Sequence, residues 1–259
     1  MLLAAAPACA GVTAAAAANA VPGGIAKIGL AAPAALTLDG KRVLVMRETG
    51  KWVAVVGVPL SAKPGTKLRL EGDRRKLEIR VVAKKYPQQR LTVPKEQAEL
   101  SPELLAKYEE ERKHIQEVLR TFSESAPPSL QLHAPVAGRR SGSFGLRRVI
   151  NGEPRSPHSG MDIAADAGVP VAAAAPARVL DVGEYLFLGK TVILDHGQGF
   201  LSLYSHLSEV AATPGETVAA GATIGKVGMT GRATGPHLHF SVYLNTAAID
   251  PAIFLGDAP

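Results

Sequence analysis

Thiols are nearly absent from this sequence: Cys9 is the sole cysteine in 259 residues, so the chain cannot be a disulfide-stapled mini-domain. Aromatic residues make up only 5%, which leaves little material for a base-stacking platform. No recognised nucleic-acid motif and no Arg/Lys-rich run is visible, so a nucleic-acid partner is not expected. Nor does any run beyond the first twenty residues reach the roughly 18 consecutive apolar residues of a membrane helix, so no transmembrane segment is expected in the mature chain. What is present is a hydrophobic fraction of 46%, a charged fraction of 20%, 26 Gly and 19 Pro. That balance excludes a disordered chain and a collagen-like repeat, and the length suits two domains of ordinary size. The formal net charge of +6 suits a polyanionic neighbour, although charge alone does not choose one.

Residues 1–20, MLLAAAPACAGVTAAAAANA, carry no charge and resemble the apolar region of a secretory signal. Ala18 and Ala20 stand three and one positions before a cut at Val21. Cys9 follows Ala6-Pro7-Ala8, a poor lipoprotein signal, and reads as a leader thiol. An exported chain cut there has no cysteine left.

From Arg42 to Val93 the pattern is one of short β-rich runs: Arg42 to Glu48, Lys51 to Leu60, Thr66 to Leu70, Leu77 to Ala83 and Arg90 to Val93. Thr49-Gly50, Lys63-Pro64-Gly65 and Glu71-Gly72-Asp73 supply the turns. Alternation in Lys67-Leu68-Arg69-Leu70 and Leu77-Glu78-Ile79-Arg80 implies one buried and one wet face, so residues 21–100 read as a small antiparallel β-domain. A helix begins at Ser101-Pro102-Glu103, with Ser101 as N-cap and Pro102 at the first helical position. Leu104, Tyr108, Ile115, Leu119 and Phe122 recur at helical spacing. The run Glu109-Glu110-Glu111-Arg112-Lys113 reads as the solvated face, and His114 as a surface residue without a ligand-like partner. Ser123 to Leu130 is a Pro/Ser linker, because Pro127-Pro128 stops the helix; residues 101–130 are thus helix and linker. Residues 131–259 form a second, β-rich and Gly-rich domain with strands near Val192 to Asp195, Leu201 to Ser205 and His237 to Tyr243. The fold class is mainly β.

Five of the seven histidines, at 158, 196, 206, 237 and 239, fall between residues 158 and 239 of this second domain. His158 and Asp162 offer an imidazole and a carboxylate four apart, while His237-Leu238-His239 offers two imidazoles at i and i+2, which share one face of a strand. A catalytic zinc takes three protein ligands and keeps a fourth position open. The His-Asp pair plus one histidine of the His-x-His meets that number and leaves the other beside the metal, a geometry for metal-assisted hydrolysis. Spacing alone does not say which of His237 and His239 is the ligand.

Several stretches now match a known pattern: Ser143-Phe144-Gly145-Leu146-Arg147-Arg148, Asn151-Gly152 and His158-Ser159-Gly160-Met161-Asp162-Ile163-Ala164-Ala165. Asp195-His196-Gly197, Tyr204-Ser205-His206-Leu207 and Thr230-Gly231-Arg232-Ala233-Thr234-Gly235-Pro236-His237-Leu238-His239 continue it. From about residue 134 to 254 the chain resembles the lysostaphin/LytM-type zinc metallopeptidases, and the upstream β-region is similar, more loosely, to the amino-terminal domain of some Gram-negative members. The resemblance implies an antiparallel β-sheet groove domain and one Zn2+ per chain held by His158, Asp162 and His239. It implies His237 as general base or water-orienting imidazole and His206 as the second catalytic imidazole. The implied activity is endopeptidase cleavage of peptide cross-links in bacterial peptidoglycan, in the periplasm or outside the cell. The alternative is a non-catalytic relative that activates another cell-wall hydrolase, and a cell-wall regulatory protein is an expected partner. His196 reads as structural. Asn151, Tyr204, Thr230 and Gly231 are candidate groove residues, Tyr204 because it stands two before His206. The glycines of residues 228–236 are expected to admit an extended peptide.

Overall fold

The computed structural model describes residues 20–72, 75–94 and 99–256. The leader call, with Cys9 and Ala18, and the turn residue Asp73 therefore lie outside the described residues. Ala20 is inside, fully buried, and its carbonyl accepts from Val82 N at 2.8 Å. A cut after Ala20 would strip a residue from the first core.

Seven strands build the amino-terminal part: β1 (Ile25–Leu30), β2 (Leu36–Leu38), β3 (Lys41–Arg42), β4 (Leu44–Glu48), β5 (Lys51–Gly57), β6 (Lys67–Gly72) and β7 (Arg75–Arg80). They form two antiparallel sheets, β1-β5-β4 and β3-β2-β6-β7. Asp39-Gly40 and Thr49-Gly50 close their hairpins with all four φ angles positive, between 47° and 81°, as a two-residue turn matched to strand twist requires. Alternating Leu68/Leu70 and Leu77/Ile79 meet Ile28, Leu30, Leu36 and Val56 in one core. β1 and β2 lie upstream of the runs read from the sequence and are the additions here.

β8 (Gln88–Leu91) does not join those sheets. It pairs in parallel with β10 (Arg147–Ile150), which turns back into β11 (Glu153–Pro154). This corrects the expectation of a wholly antiparallel unit through residue 93: all four residues of β8 are exposed, so it has no apolar face with which to enter the first core. Next come α1 (Pro102–Val118), capped by Ser101 Oγ accepting from Leu104 N at 3.3 Å, and β9 (Arg139–Gly142).

The remaining strands are β12 (Met161–Ala164), β13 (Pro170–Ala172), β14 (Ala177–Tyr185), β15 (Gly189–Gly197), β16 (Phe200–Leu207), β17 (Glu209–Val210), β18 (Thr217–Val218), β19 (Thr223–Lys226), β20 (Leu238–Leu244) and β21 (Ala247–Ile249). An eight-stranded antiparallel sheet runs β18-β14-β15-β16-β20-β12-β9, with β21 beside β20; β13-β19-β17 form a smaller sheet. The pleat sorts side chains to two faces. One face sends Val192, Leu194, Tyr204, Phe240 and Val242 into the main core with Val171, Ile224 and Val227. The other carries Ile193, Leu201, Leu203 and Tyr243, covered by Ile115, Val118 and Leu119 of the helix and its cap. Both faces being covered there, β16 and β20 are buried along their whole length.

Two expectations about the connection change. The helix charges are not all solvated, since Glu111 accepts from Leu186 N at 2.8 Å and His114 Nε2 lies 3.0 Å from Asp181 Oδ1; the helix docks on β14 and uses polar side chains to do it. Leu104, by contrast, is 41% exposed, ahead of the docked turns. The Pro/Ser linker lies packed along the protein: Ser123 Oγ and the Glu124 carbonyl both accept from Gln198, and Pro127 is buried.

The two parts share a core, with Leu44, Met46 and Val55 inside the larger cluster. Asn245 joins them by polar contact. Its Oδ1 accepts from Gly57 N at 2.7 Å and its Nδ2 donates to Gly57 O at 3.1 Å, all buried. The Arg42–Glu124 ion pair also spans the junction, but at 50% and 80% side-chain exposure it is screened and contributes little. Asn245→Ala would leave both Gly57 groups buried and unpaired, at about 1–3 kcal/mol for each group. We expect it to lower unfolding stability by about 2–4 kcal/mol, read as a clear drop in urea midpoint; an unchanged midpoint would show that the clamp holds nothing.

Candidate metal centre and active site

β12 and β20 are paired so that Asp162 stands directly opposite His239, with Met161 opposite Phe240. Cross-strand partners point to the same side, so one face carries a carboxylate beside an imidazole while the next pair fills the core. His158, on the approach to β12, completes the group. Its Nε2 lies 3.0 Å from Asp162 Oδ1 and 3.0 Å from His239 Nδ1, and His239 Nδ1 lies 2.9 Å from Asp162 Oδ1. Among the described residues this trio alone gathers three metal-type ligand atoms.

The second nitrogen of each ring is tied elsewhere. His158 Nδ1 donates to the Ser143 carbonyl at 3.0 Å, which leaves Nε2 as the lone-pair nitrogen aimed at the trio. His239 Nε2 shares a 2.9 Å hydrogen bond with Ser241 Oγ and so leaves Nδ1 inward. The donor set is two neutral imidazole nitrogens and one carboxylate oxygen, the chemistry zinc takes. Bonds of about 2.0–2.2 Å in a tetrahedron put neighbouring donors about 3.3–3.5 Å apart, so the observed 2.9–3.0 Å spacing fits with an outward adjustment of a few tenths of an ångström. Glycine supplies the room: a Cβ on Gly142 would collide with the Asp162 carboxylate, and one on Gly160 would come within 2.7 Å of His239 Cε1. Burial alone would push the Asp162 carboxyl up, but whenever His158 Nε2 or His239 Nδ1 carries a proton its hydrogen bond and charge outweigh burial and hold the carboxyl well below the usual carboxylate range. Burial pushes the His239 imidazole down against the opposing pull of Asp162.

His206 and His237 flank the trio. β16 bulges against β15 between Lys190 and Val192, and in that bulge His206 takes φ +64°, left-handed backbone unusual for a residue with a Cβ. Its amide donates to Leu188 O and its Nδ1 to Thr230 O, each at 2.8 Å. Burial, reinforced by His239 and His237 against the Thr230 hydrogen bond, pushes its imidazole down to about 4. His237 sits one residue ahead of β20, bridged to Gly228. Its Nδ1 donates to the Gly235 carbonyl at 2.8 Å, and its Nε2 lies 3.8 Å from Asp162 Oδ1. The His206 and His237 ring centres are 4.7 Å apart. In both rings the carbonyl can only accept, so Nδ1 carries the proton and Nε2 the lone pair.

The groove candidates fare differently. Tyr204 turns away: it pairs with Phe240, is fully buried in the main core, and its Oη accepts from Ala174 N at 3.0 Å. The bulge breaks the i, i+2 relation on which its placement rested. Asn151 is a hairpin residue at φ +53° whose amide is spent on the Val93 backbone, at 3.0 and 2.9 Å. Thr230 lies beside His206: its carbonyl accepts from His206 Nδ1, while its hydroxyl donates to Leu207 O at 2.7 Å and accepts from Lys190 N at 2.9 Å. Gly231, at φ +72°, makes room for the chain's own backbone, since a Cβ would sit 2.7 Å from Phe187 O and 2.8 Å from Leu188 C. Its need for glycine therefore has an internal cause, without any passing peptide. His196 lies apart, buried, with Nδ1 on Pro176 O at 3.0 Å and Nε2 on Ser202 Oγ at 2.7 Å. Ser241 is the residue sequence reasoning missed, though its place two beyond His239 on one strand carried the signal.

A family model described as peptidase family M23 matches residues 156–251, and one described as the peptidase family M23 N-terminal domain matches residues 18–85. A crystal structure of a Pseudomonas aeruginosa chain described as a peptidase M23 is 40% identical, with a TM-score of 0.74, the match covering 91% of this chain and 94% of that one. The peptidoglycan DD-endopeptidase ShyA of Vibrio cholerae is 36% identical over 105 residues, 40% of this chain and 24% of that one. The DD-carboxypeptidase/endopeptidase Mpg of Neisseria meningitidis is 40% identical over 94 residues, 36% of this chain and 22% of that one. The matched segment thus spans about a quarter of these curated relatives. Two domain models in order and a relative matched over nearly its whole length lead to one assignment: the chain belongs to peptidase family M23.

Proposed function

We propose that this chain is a zinc-dependent endopeptidase that hydrolyses peptide cross-links of bacterial peptidoglycan. The observation that carries the reading is the convergence of His158 Nε2, Asp162 Oδ1 and His239 Nδ1 beside two more imidazoles whose Nε2 atoms are free to take a proton. Relatives described as peptidoglycan DD-endopeptidases support the substrate class. Residues 131–259 form the hydrolase unit, residues 21–100 the amino-terminal unit, and residues 101–130 the helix and linker between them. A periplasmic or secreted, wall-associated location follows from that substrate and from the signal-like residues 1–20. No helix of the described residues is long and apolar enough to cross a membrane.

His158, Asp162 and His239 would hold one Zn2+. When bound, the ion supplies a Lewis acid that polarises the scissile carbonyl and acidifies water. His237 Nε2 takes the proton from the attacking water. His206, neutral because burial pushes it down to about 4, orients the attacking water with its Nε2 lone pair, and the proton that His237 has taken goes on to the departing amine. The Ser143, Thr230 and Gly235 carbonyls and the Ser241 hydroxyl keep the four rings in the required tautomers.

The test is digestion of purified peptidoglycan by the zinc-loaded protein, with new amine ends assigned by mass spectrometry. Cleavage that stops on chelation is expected. A zinc-replete protein that frees no amine but stimulates a partner hydrolase would establish the regulatory alternative instead.

Single substitutions divide the five side chains. His158→Ala, Asp162→Ala and His239→Ala should each lose zinc and activity together. His206→Ala and His237→Ala should keep zinc near one per chain and still lose roughly a hundredfold or more in turnover. Zinc lost from His237→Ala but kept in His239→Ala would reverse the assignment within the His-x-His.

A further inference from the structure

Helix α1 reaches the site through a short polar and aromatic path that the mechanism above does not use. Ile115, Val118 and Leu119 seat the helix and its cap on the same sheet face that carries Asp162 and His239. One turn earlier the helix contacts the connection between β14 and β15, residues 186–188. Glu111 Oε2 accepts from Leu186 N at 2.8 Å, and Tyr108 packs edge-on against Phe187 with ring centres 5.1 Å apart. Beside them His114 Nε2 lies 3.0 Å from Asp181 Oδ1, and Asp181 also accepts from Tyr185 Oη. Glu111 is only 14% exposed, unlike Arg112 and Glu109 next to it at 47% and 41%.

Residues 186–188 in turn bear on both anchors of His206. Leu188 O receives the His206 amide at 2.8 Å. Phe187 O receives Arg232 N at 3.0 Å, and Gly189 packs closely on Thr230 and Gly231, the segment whose Thr230 carbonyl holds His206 Nδ1. A residue at φ +64° persists only where its surroundings over-determine it. Here the surroundings lead back to the helix.

We propose that α1 is a positioning element for His206 and that Glu111, through Leu186 N, is its positioning residue. The proposal rests on the reading of His206 as a reacting imidazole. It makes the segment joining the two domains part of the catalytic apparatus. Loosening the 186–188 connection shifts His206 while Asp162 and His239, held by β12 and β20, and His158, held by backbone bonds to Gly145 and Leu146, stay in place.

The experiment uses the full chain and compares Glu111→Ala, Glu111→Gln and, as an exposed control on the same turn, Glu110→Ala. Three quantities are read: kcat and KM on peptidoglycan, zinc per chain, and hydrogen exchange of the Leu186 and His206 amides. Glu111→Ala is expected to lower kcat roughly tenfold or more, since small misplacements of a reacting group are costly, with KM and zinc unchanged and both amides exchanging faster. Glu111→Gln keeps an acceptor oxygen and should recover most of kcat and protection, and Glu110→Ala should match the parent. Wild-type kcat and His206 exchange in Glu111→Ala would overturn the proposal, as would a Glu111→Gln as impaired as the alanine variant. Should Glu111→Ala fail to fold, Tyr108→Leu removes the ring contact with Phe187 and is judged by the same exchange. If the parent chain itself releases no amine, the functional reading fails, whereas faster His206 exchange in Glu111→Ala still decides the coupling.

Discussion

The register of β12 against β20 is the constraint on which the rest depends. With Asp162 opposite His239 and Met161 opposite Phe240, one face receives a carboxylate and an imidazole and the other receives two large apolar side chains. A slip of one residue would exchange the faces, sending Asp162 into the core and Met161 to the site. The apolar side enforces the register: Phe240 is fully buried and Met161 nearly so, and burying such side chains is worth about 1.5–3 kcal/mol each. The metal-type cluster is thus placed by the hydrophobic effect acting on its neighbours.

A cluster of buried and partly buried imidazoles around a carboxylate is costly unless every remaining polar atom has a partner. This fold supplies those partners largely from the backbone. Ser143, Thr230 and Gly235 offer carbonyls to His158, His206 and His237, and only His239 relies on a side chain, Ser241. Carbonyls in fixed loops leave no choice of tautomer, whereas a hydroxyl could donate or accept. The glycines at 142 and 160 belong to the same economy of space, since each borders an atom of the cluster where a Cβ could not fit.

Much of this was legible because local patterns decide it. The helix start at Ser101-Pro102, the Thr49-Gly50 turn and the strands around residues 192–195, 201–205 and 237–243 follow from capping, turn chemistry and alternation, and the five site side chains follow from spacing and from the resemblance. What was not legible depends on contacts far apart in sequence. A bulge set by how β15 pairs with β16 reversed the inference that placed Tyr204 beside His206. Gln88–Leu91, read as part of the first domain, pairs with Arg147–Ile150 because backbone groups without an apolar face take the partner that the tertiary fold brings. His114, isolated in sequence, finds Asp181. Asn151 kept its turn and spent its side chain on Val93.

The division between legible and illegible also separates two mechanical classes within the site. Asp162 and His239 lie on paired strands whose register is set by core burial, so their geometry is as stiff as the sheet. His206 lies in a left-handed bulge held by a turn carbonyl and a loop carbonyl, and those elements rest on a helix whose residues are nowhere fully buried. Stability in a protein falls from the core toward such peripheral contacts. Local opening is therefore expected to reach His206 long before it reaches the trio. A fold built this way can keep its metal-type ligands assembled while one flanking imidazole depends on whether the helix between the two parts is seated.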